Sequence, residues 1–164
     1  MKRLLAFGVG LVVAATACST TAVAEGTPID CDTEVPGRLI LFAQAVPTAS
    51  AIPCLEELPP GWLLDSIETR TGEALIVFEN DTHDVTVPAS LRARCEVVGV
   101  GETGADEAIS VYETIDGAVA LVFEGGCFQI GFPAVVTEIE TAALLDAISH
   151  LSRNELRALT GWTL

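Results

Sequence analysis

The stretch Arg70-Thr71-Gly72-Glu73-Ala74-Leu75-Ile76-Val77-Phe78-Glu79-Asn80-Asp81-Thr82-His83-Asp84-Val85-Thr86-Val87 contains two apolar runs between turn signals. Ala74 to Phe78 is apolar at every position, as in a strand covered on both sides, whereas Val85 and Val87 alternate with Asp84 and Thr86, as in a half-buried one. Gly72 and the group Asn80-Asp81-Thr82 supply the backbone freedom and local hydrogen bonds of tight turns. The stretch therefore predicts consecutive antiparallel strands.

The same layout returns further along the chain. Aligned without a gap, residues 67–91 and 112–136 share Glu68/Glu113, Thr69/Thr114, Gly72/Gly117, Val77/Val122, Phe78/Phe123, Glu79/Glu124, Pro88/Pro133 and Ala89/Ala134. A match of that density indicates an internal duplication. Each copy reads as a three-stranded meander, with strands near 63–70, 73–79 and 83–88, the last open to extension through Cys95, and near 108–115, 118–124 and 127–133. Ala74–Phe78 and Val119–Phe123 are expected at the sheet centre.

Beyond the second copy, Ile139, Ala142, Leu145, Ile148 and Leu151 recur at helical spacing, which predicts a helix over 138–151 with one face on the sheet. Ser152-Arg153-Asn154-Glu155 has the form of a capping box that starts a short terminal helix ending near Gly161. Before the first copy, residues 38–45 can be read as a short helix or a strand, and Pro47, Pro53, Pro59 and Pro60 predict irregular chain after it. The expected fold is a single α+β domain: an antiparallel sheet built from two duplicated three-stranded meanders, covered by C-terminal helices on one face and by the proline-rich segment on the other.

At the N-terminus, Lys2 and Arg3 precede an apolar run from Leu4 to about Ala17, the layout of a secretory signal and too short for a membrane-crossing helix. Ala15-Thr16-Ala17-Cys18 resembles the lipobox of bacterial lipoproteins, although Ala15 stands where that pattern usually has Leu. The expected organisation is a signal peptide over 1–17, a lipidated N-terminus on Cys18 with a flexible tether over 18–30, and a domain over 31–164. The competing site Ala22-Val23-Ala24 would discard Cys18 and release a soluble secreted protein.

Cysteine arithmetic is consistent with either route. Of five cysteines, using or removing Cys18 leaves Cys31, Cys54, Cys95 and Cys127, an even set for an oxidising compartment. Four cysteines allow three pairings, of which Cys31–Cys54 with Cys95–Cys127 is preferred, because the first bond closes the proline-rich segment and the second ties the two copies together.

Charge restricts the partners. The chain carries 23 acidic residues against eight Lys and Arg, and Lys2 and Arg3 leave with the signal. Such a surface repels phosphate backbones, so no nucleic-acid partner is expected.

The segment Pro36-Gly37-Arg38-Leu39-Ile40-Leu41-Phe42-Ala43-Gln44-Ala45-Val46-Pro47-Thr48-Ala49, with Ile52-Pro53-Cys54-Leu55, Gly61-Trp62 and Gly125-Gly126-Cys127, resembles a family of exported envelope proteins and lipoproteins of high-GC Gram-positive bacteria. The resemblance implies export and carries no activity or site residue with it.

Chemistry leaves few candidates. The nucleophile elbow, the zinc helix and the phosphate-binding glycine loop are missing from the sequence. His83, among Asn80, Asp81 and Asp84, lacks the spacing of a calcium loop and reads as part of a polar hairpin turn, so no metal and no cofactor are expected. His150 is expected beside the carbonyl end of the long helix. Glu68 and Glu113 could act as a carboxylate pair in glycoside hydrolysis if they faced each other across a cleft, against the simpler reading of solvated surface. Trp62 and Trp162 read as packing anchors.

The expected function is a non-enzymatic binding or scaffolding lipoprotein of the cell envelope, held on the outer face of the membrane by its lipid and facing an envelope protein partner. The alternatives are a cell-envelope hydrolase using carboxylates and an extracellular ligand or cation sensor.

Overall fold

The computed structural model describes residues 29–32, 37–97, 102–103, 108–114 and 117–161. In chain order the elements are α1 (Gly37–Ala45), β1 (Ala51–Leu55), β2 (Trp62–Arg70), β3 (Glu73–Asn80), β4 (Val85–Arg92), β5 (Glu102–Thr103), β6 (Ser110–Glu113), β7 (Val119–Phe123), β8 (Gly126–Ile130), α2 (Glu138–Ala147), β9 (Ile148–Ser152) and α3 (Arg153–Thr160). The fold is α+β and its strand pairs are antiparallel, as the duplicated pattern predicts.

The large sheet has the order β2-β3-β4-β8-β7-β6-β5, and β1 pairs with β9 in a separate two-stranded sheet. The two meanders thus meet through their third strands, Ala89 opposite Ile130 and Leu91 opposite Phe128. An antiparallel junction of this kind relates the copies by an approximate two-fold axis perpendicular to the sheet, so corresponding strands keep the same face inward. β4 and β8 occupy the centre, where β3 and β7 were expected.

Only one face of the first meander is deeply buried. Along β3, Ala74, Ile76 and Phe78 are buried while Leu75 and Val77 are half-buried, and along β4 Thr86 and Pro88 are exposed. The proline-rich segment does not cover the opposite face. It folds into α1 and β1, which join the same core as the C-terminal elements: Phe42, Val46 and Ile52 pack with Phe78, Phe128, Leu144 and Leu156 in a single cluster. The reason is the β1–β9 ladder, in which Ala51 faces Ser152 and Leu55 faces Ile148, joining the segment before the first meander and the segment after the second into one layer.

That ladder also corrects the helix reading. α2 stops at Ala147, and Ile148 to Ser152 continue as β9, because the five buried residues of β1 need backbone partners inside the protein. Pro53 is tolerated there because its ladder partner is His150 alone, the other edge of β1 being bridged at Leu55 rather than at Pro53. His150 therefore lies in a strand rather than at a helix end. Ile139, expected on the covered face of the helix, is 82% exposed, while Leu144 and Ala147 are buried.

Ser152 with Glu155 forms the expected capping box, and Gly161 ends α3 in the left-handed conformation; Thr137 with Glu140 forms a second box, at the start of α2. The disulfides Cys31–Cys54 and Cys95–Cys127 are both formed, with Cα separations of 5.1 and 6.0 Å. The second joins β8 to the chain leaving β4, so it ties the two copies as expected.

Candidate functional site

The copies differ in one respect that decides where chemistry can occur. In the first, Ile67 faces Ile76 and Thr69 faces Ala74 across a two-residue turn at Thr71-Gly72. In the second, Val111 faces Leu121 and Glu113 faces Val119 across a loop closed between Thr114 and Ala118. The Thr114 hydroxyl donates to the Ala118 carbonyl and accepts from its N–H, at 2.9 and 3.0 Å.

Residues 78 and 123 remain equivalent, but β6 has moved by one residue relative to β2. A one-residue shift carries each side chain to the other face of a sheet. Glu68, opposite Leu75, lies on the outer face, whereas Glu113, opposite Val119, lies on the face that continues the core. The third strands diverge further: Pro88 is within β4, while Pro133 falls in the loop before α2.

Glu68 and Glu113 are consequently not a pair. Five inter-strand steps separate β2 from β6 in the sheet order, roughly 24 Å at the usual spacing, and their side chains leave opposite faces.

Glu113 instead borders a cleft of about 720 Å³ between the second meander and α2. Val111 and Val119 come from the sheet, Phe132 and Val136 from the loop after β8, and Leu145 from the helix. On the helix side, Glu138, Thr141, Ala142 and Leu145 fall at the i, i+3, i+4, i+7 positions of one face. The cleft is thus a part of the core that α2 leaves open: the position buried as Ile67 in the first copy is the half-buried Val111 in the second. Glu113 and Glu138 are both exposed. None of the described residues lining the cleft is Lys, Arg or His.

Elsewhere the polar residues are engaged in structure. His83 stands in the β3–β4 turn, its backbone N–H 3.2 Å from the buried Asn80 side chain, and its Nε2 is 3.0 and 3.1 Å from the Glu140 carboxylate oxygens. That contact clasps the turn to the start of α2. The N–H of Thr137 and then its hydroxyl, opposed by some desolvation and aided by His83, hold the Glu140 carboxyl down at about 2.

Glu73 is buried beside Arg70 and Arg92, with Arg92 Nε donating at 2.6 Å. Burial pushes its carboxyl up, but hydrogen bonds from Arg92 and Arg70 outweigh that and leave it below the usual range. Trp62 is buried as a packing anchor, and Trp162 and Cys18 lie outside the described residues. Among the described residues, no group of three or more His, Cys, Asp or Glu side chains is placed to hold a metal, and no helix is long and apolar enough to cross a membrane.

Fold and site together define a disulfide-stapled α+β domain with an open apolar cleft at one end of its sheet. No family model matches the chain, and neither a curated protein nor a solved structure matches it. The cleft was missed in the sequence because its walls come from strands and a helix distant along the chain. The spacing of Glu138, Thr141, Ala142 and Leu145 was the one local signal of its helical side.

Proposed function

We propose that this protein is an exported, non-enzymatic binding module of the cell envelope, anchored by a lipid on Cys18, whose cleft between the second meander and α2 takes an apolar ligand. The cleft carries this reading. Its volume of about 720 Å³ is that of a small-molecule site, and it joins apolar walls to a few polar groups. The two disulfides support export, since such bonds persist in oxidising compartments.

Hydrolysis by Glu113 and Glu138 is the rival reading. A glycosidase acid must stay protonated in a dry setting, and two exposed carboxylates offer none.

Titration of the full chain with the neutral dye Nile red tests the binding reading. One saturable site is expected, and it is expected to vanish in Ala142→Trp, where an exposed position on the cleft wall receives a side chain that fills it. Binding that is absent, or unchanged by that substitution, would sink the reading. Turnover of aryl glycosides that disappears in Glu113→Gln would favour the hydrolase. Mass measurement of the mature N-terminus checks the anchor: a diacylglyceryl Cys18 is expected, and a start at Glu25 would remove it.

A further inference from the structure

Resting on that binding reading, we propose that the ligand is a small amphiphilic cation, with a hydrocarbon body against Val119, Val136 and Leu145 and a protonated amine between Glu113 and Glu138.

The register shift is the first ground. It places Glu113 on an apolar strand face next to Val111 and Val119, where Glu68 in the other copy points to open solvent. A carboxylate in such a place loses hydration when an apolar body fills the cleft, and that loss goes uncompensated unless the ligand brings an opposite charge. Glu138 lines the same cleft from α2, so two carboxylates border one apolar space from two elements. A neutral ligand would desolvate them without return.

An anionic ligand fits worse. The described residues around the cleft carry no positive charge, and the start of α2, where an anion could otherwise meet free amides, is closed by the Thr137–Glu140 capping box and carries Glu138 and Glu140. Three of the arginines are committed to other partners. Arg70 and Arg92 hold Glu73, and Arg153 donates to the carbonyls of Ala43, Val46 and Ala49.

Apolar surface also extends past the rim. Val135, between the lining residues Ala134 and Val136, is 48% exposed, and Ile139, next to Glu138, is 82% exposed. Side chains this apolar beside an open cleft suit a ligand whose hydrocarbon part extends beyond it.

Calorimetric titration of the full chain with decylamine, decanol and decanoate, below their micellar concentrations and at low salt, separates the possibilities. Decylamine, protonated at neutral pH, is expected to bind about tenfold tighter than decanol, the sum of two modest rim ion pairs, with decanoate weakest. Glu113→Gln with Glu138→Gln should remove that preference and leave decanol binding at least as tight as in the wild type. Glu57→Gln with Glu68→Gln, which removes equal charge away from the cleft, should keep it.

Decanol or decanoate binding as tightly as decylamine overturns the cationic ligand and leaves the cleft reading standing. Loss of the preference in the Glu57/Glu68 variant assigns it to the overall negative field and overturns the site. If none of the three binds, both the ligand class and the cleft reading fail.

Discussion

Arg153, the first residue of α3, donates from its guanidinium to the carbonyl oxygen of Ala43 in the last turn of α1, 2.7 Å away. The same side chain reaches the carbonyls of Val46 at 2.8 Å and Ala49 at 2.6 Å. The Ala43 oxygen belongs to the open end of α1 and those of Val46 and Ala49 to the loop that follows, where Val46 also accepts from the Ala49 N–H, and a cation there also suits the helix dipole. Replacing Arg153 with Met keeps the stem and removes the donors, and is expected to cost about 2–4 kcal/mol in a urea titration. Arg153→Lys should recover only part of this, because one ammonium cannot reproduce the fork of a guanidinium.

Gly125 and Gly117 are both at positive φ, at +70° and +77°, yet they should respond differently to alanine. A Cβ at Gly125 would sit 1.9 Å from the Thr48 carbonyl oxygen, where the β7–β8 turn docks on the α1–β1 loop, while one at Gly117 meets nothing within 4 Å. Gly117→Ala is expected to cost about 1 kcal/mol, for backbone strain alone. Gly125→Ala should cost about 3 kcal/mol or more, since backbone must move. Thermal midpoints of the two variants measure the difference.

Loss of a disulfide should destabilise without changing the fold of the cleft walls. Cys95 and Cys127 are 32 residues apart and Cys31 and Cys54 are 23 apart. Each closure constrains the unfolded chain by roughly 3–4 kcal/mol in the entropy model. Replacing Cys95 and Cys127 together by Ser is expected to lower the denaturation midpoint accordingly. Peptide mapping without reduction should find Cys31 joined to Cys54 and to no other cysteine.

The Glu140 carboxyl makes one part of stability depend on pH. Its folded value, at about 2, lies below that of an unfolded glutamate, so the folded state gains from the ionised form. The contribution is fully present above the unfolded value, near pH 4.3, and is lost as pH falls towards 2. Glu140→Gln keeps a capping side chain without the charge. The difference in urea midpoint between wild type and this variant is expected to be nearly constant from pH 7 to 5, to shrink steeply as pH falls towards 2 and to vanish below it.

The strands were legible because each is decided by a few neighbouring residues. Gly72 and Gly117 mark turns, Val85 and Val87 alternate, and Ser152 with Glu155 caps α3 whatever else it touches. Ile148 to Leu151 was misread for the opposite reason. Ile148 and Leu151 fit helical spacing, but the buried strand β1 supplied backbone partners that no local pattern announces. The carboxylate pair failed similarly: Glu68 and Glu113 match in sequence, and one additional residue in a hairpin loop sends them to opposite faces.

By itself, then, the sequence determined the α+β class, two meanders, an even set of four bridging cysteines and the cap of α3, because periodicity, turn residues and a count of cysteines are local or combinatorial properties. Only the tertiary structure decided that the segments flanking the two meanders share one layer on one face of the sheet, and that α2 leaves the second meander partly uncovered. Those outcomes depend on strand register and on which surfaces compete for the same core. Such competition is settled between residues as distant as Ala51 and Ser152 or Val119 and Leu145.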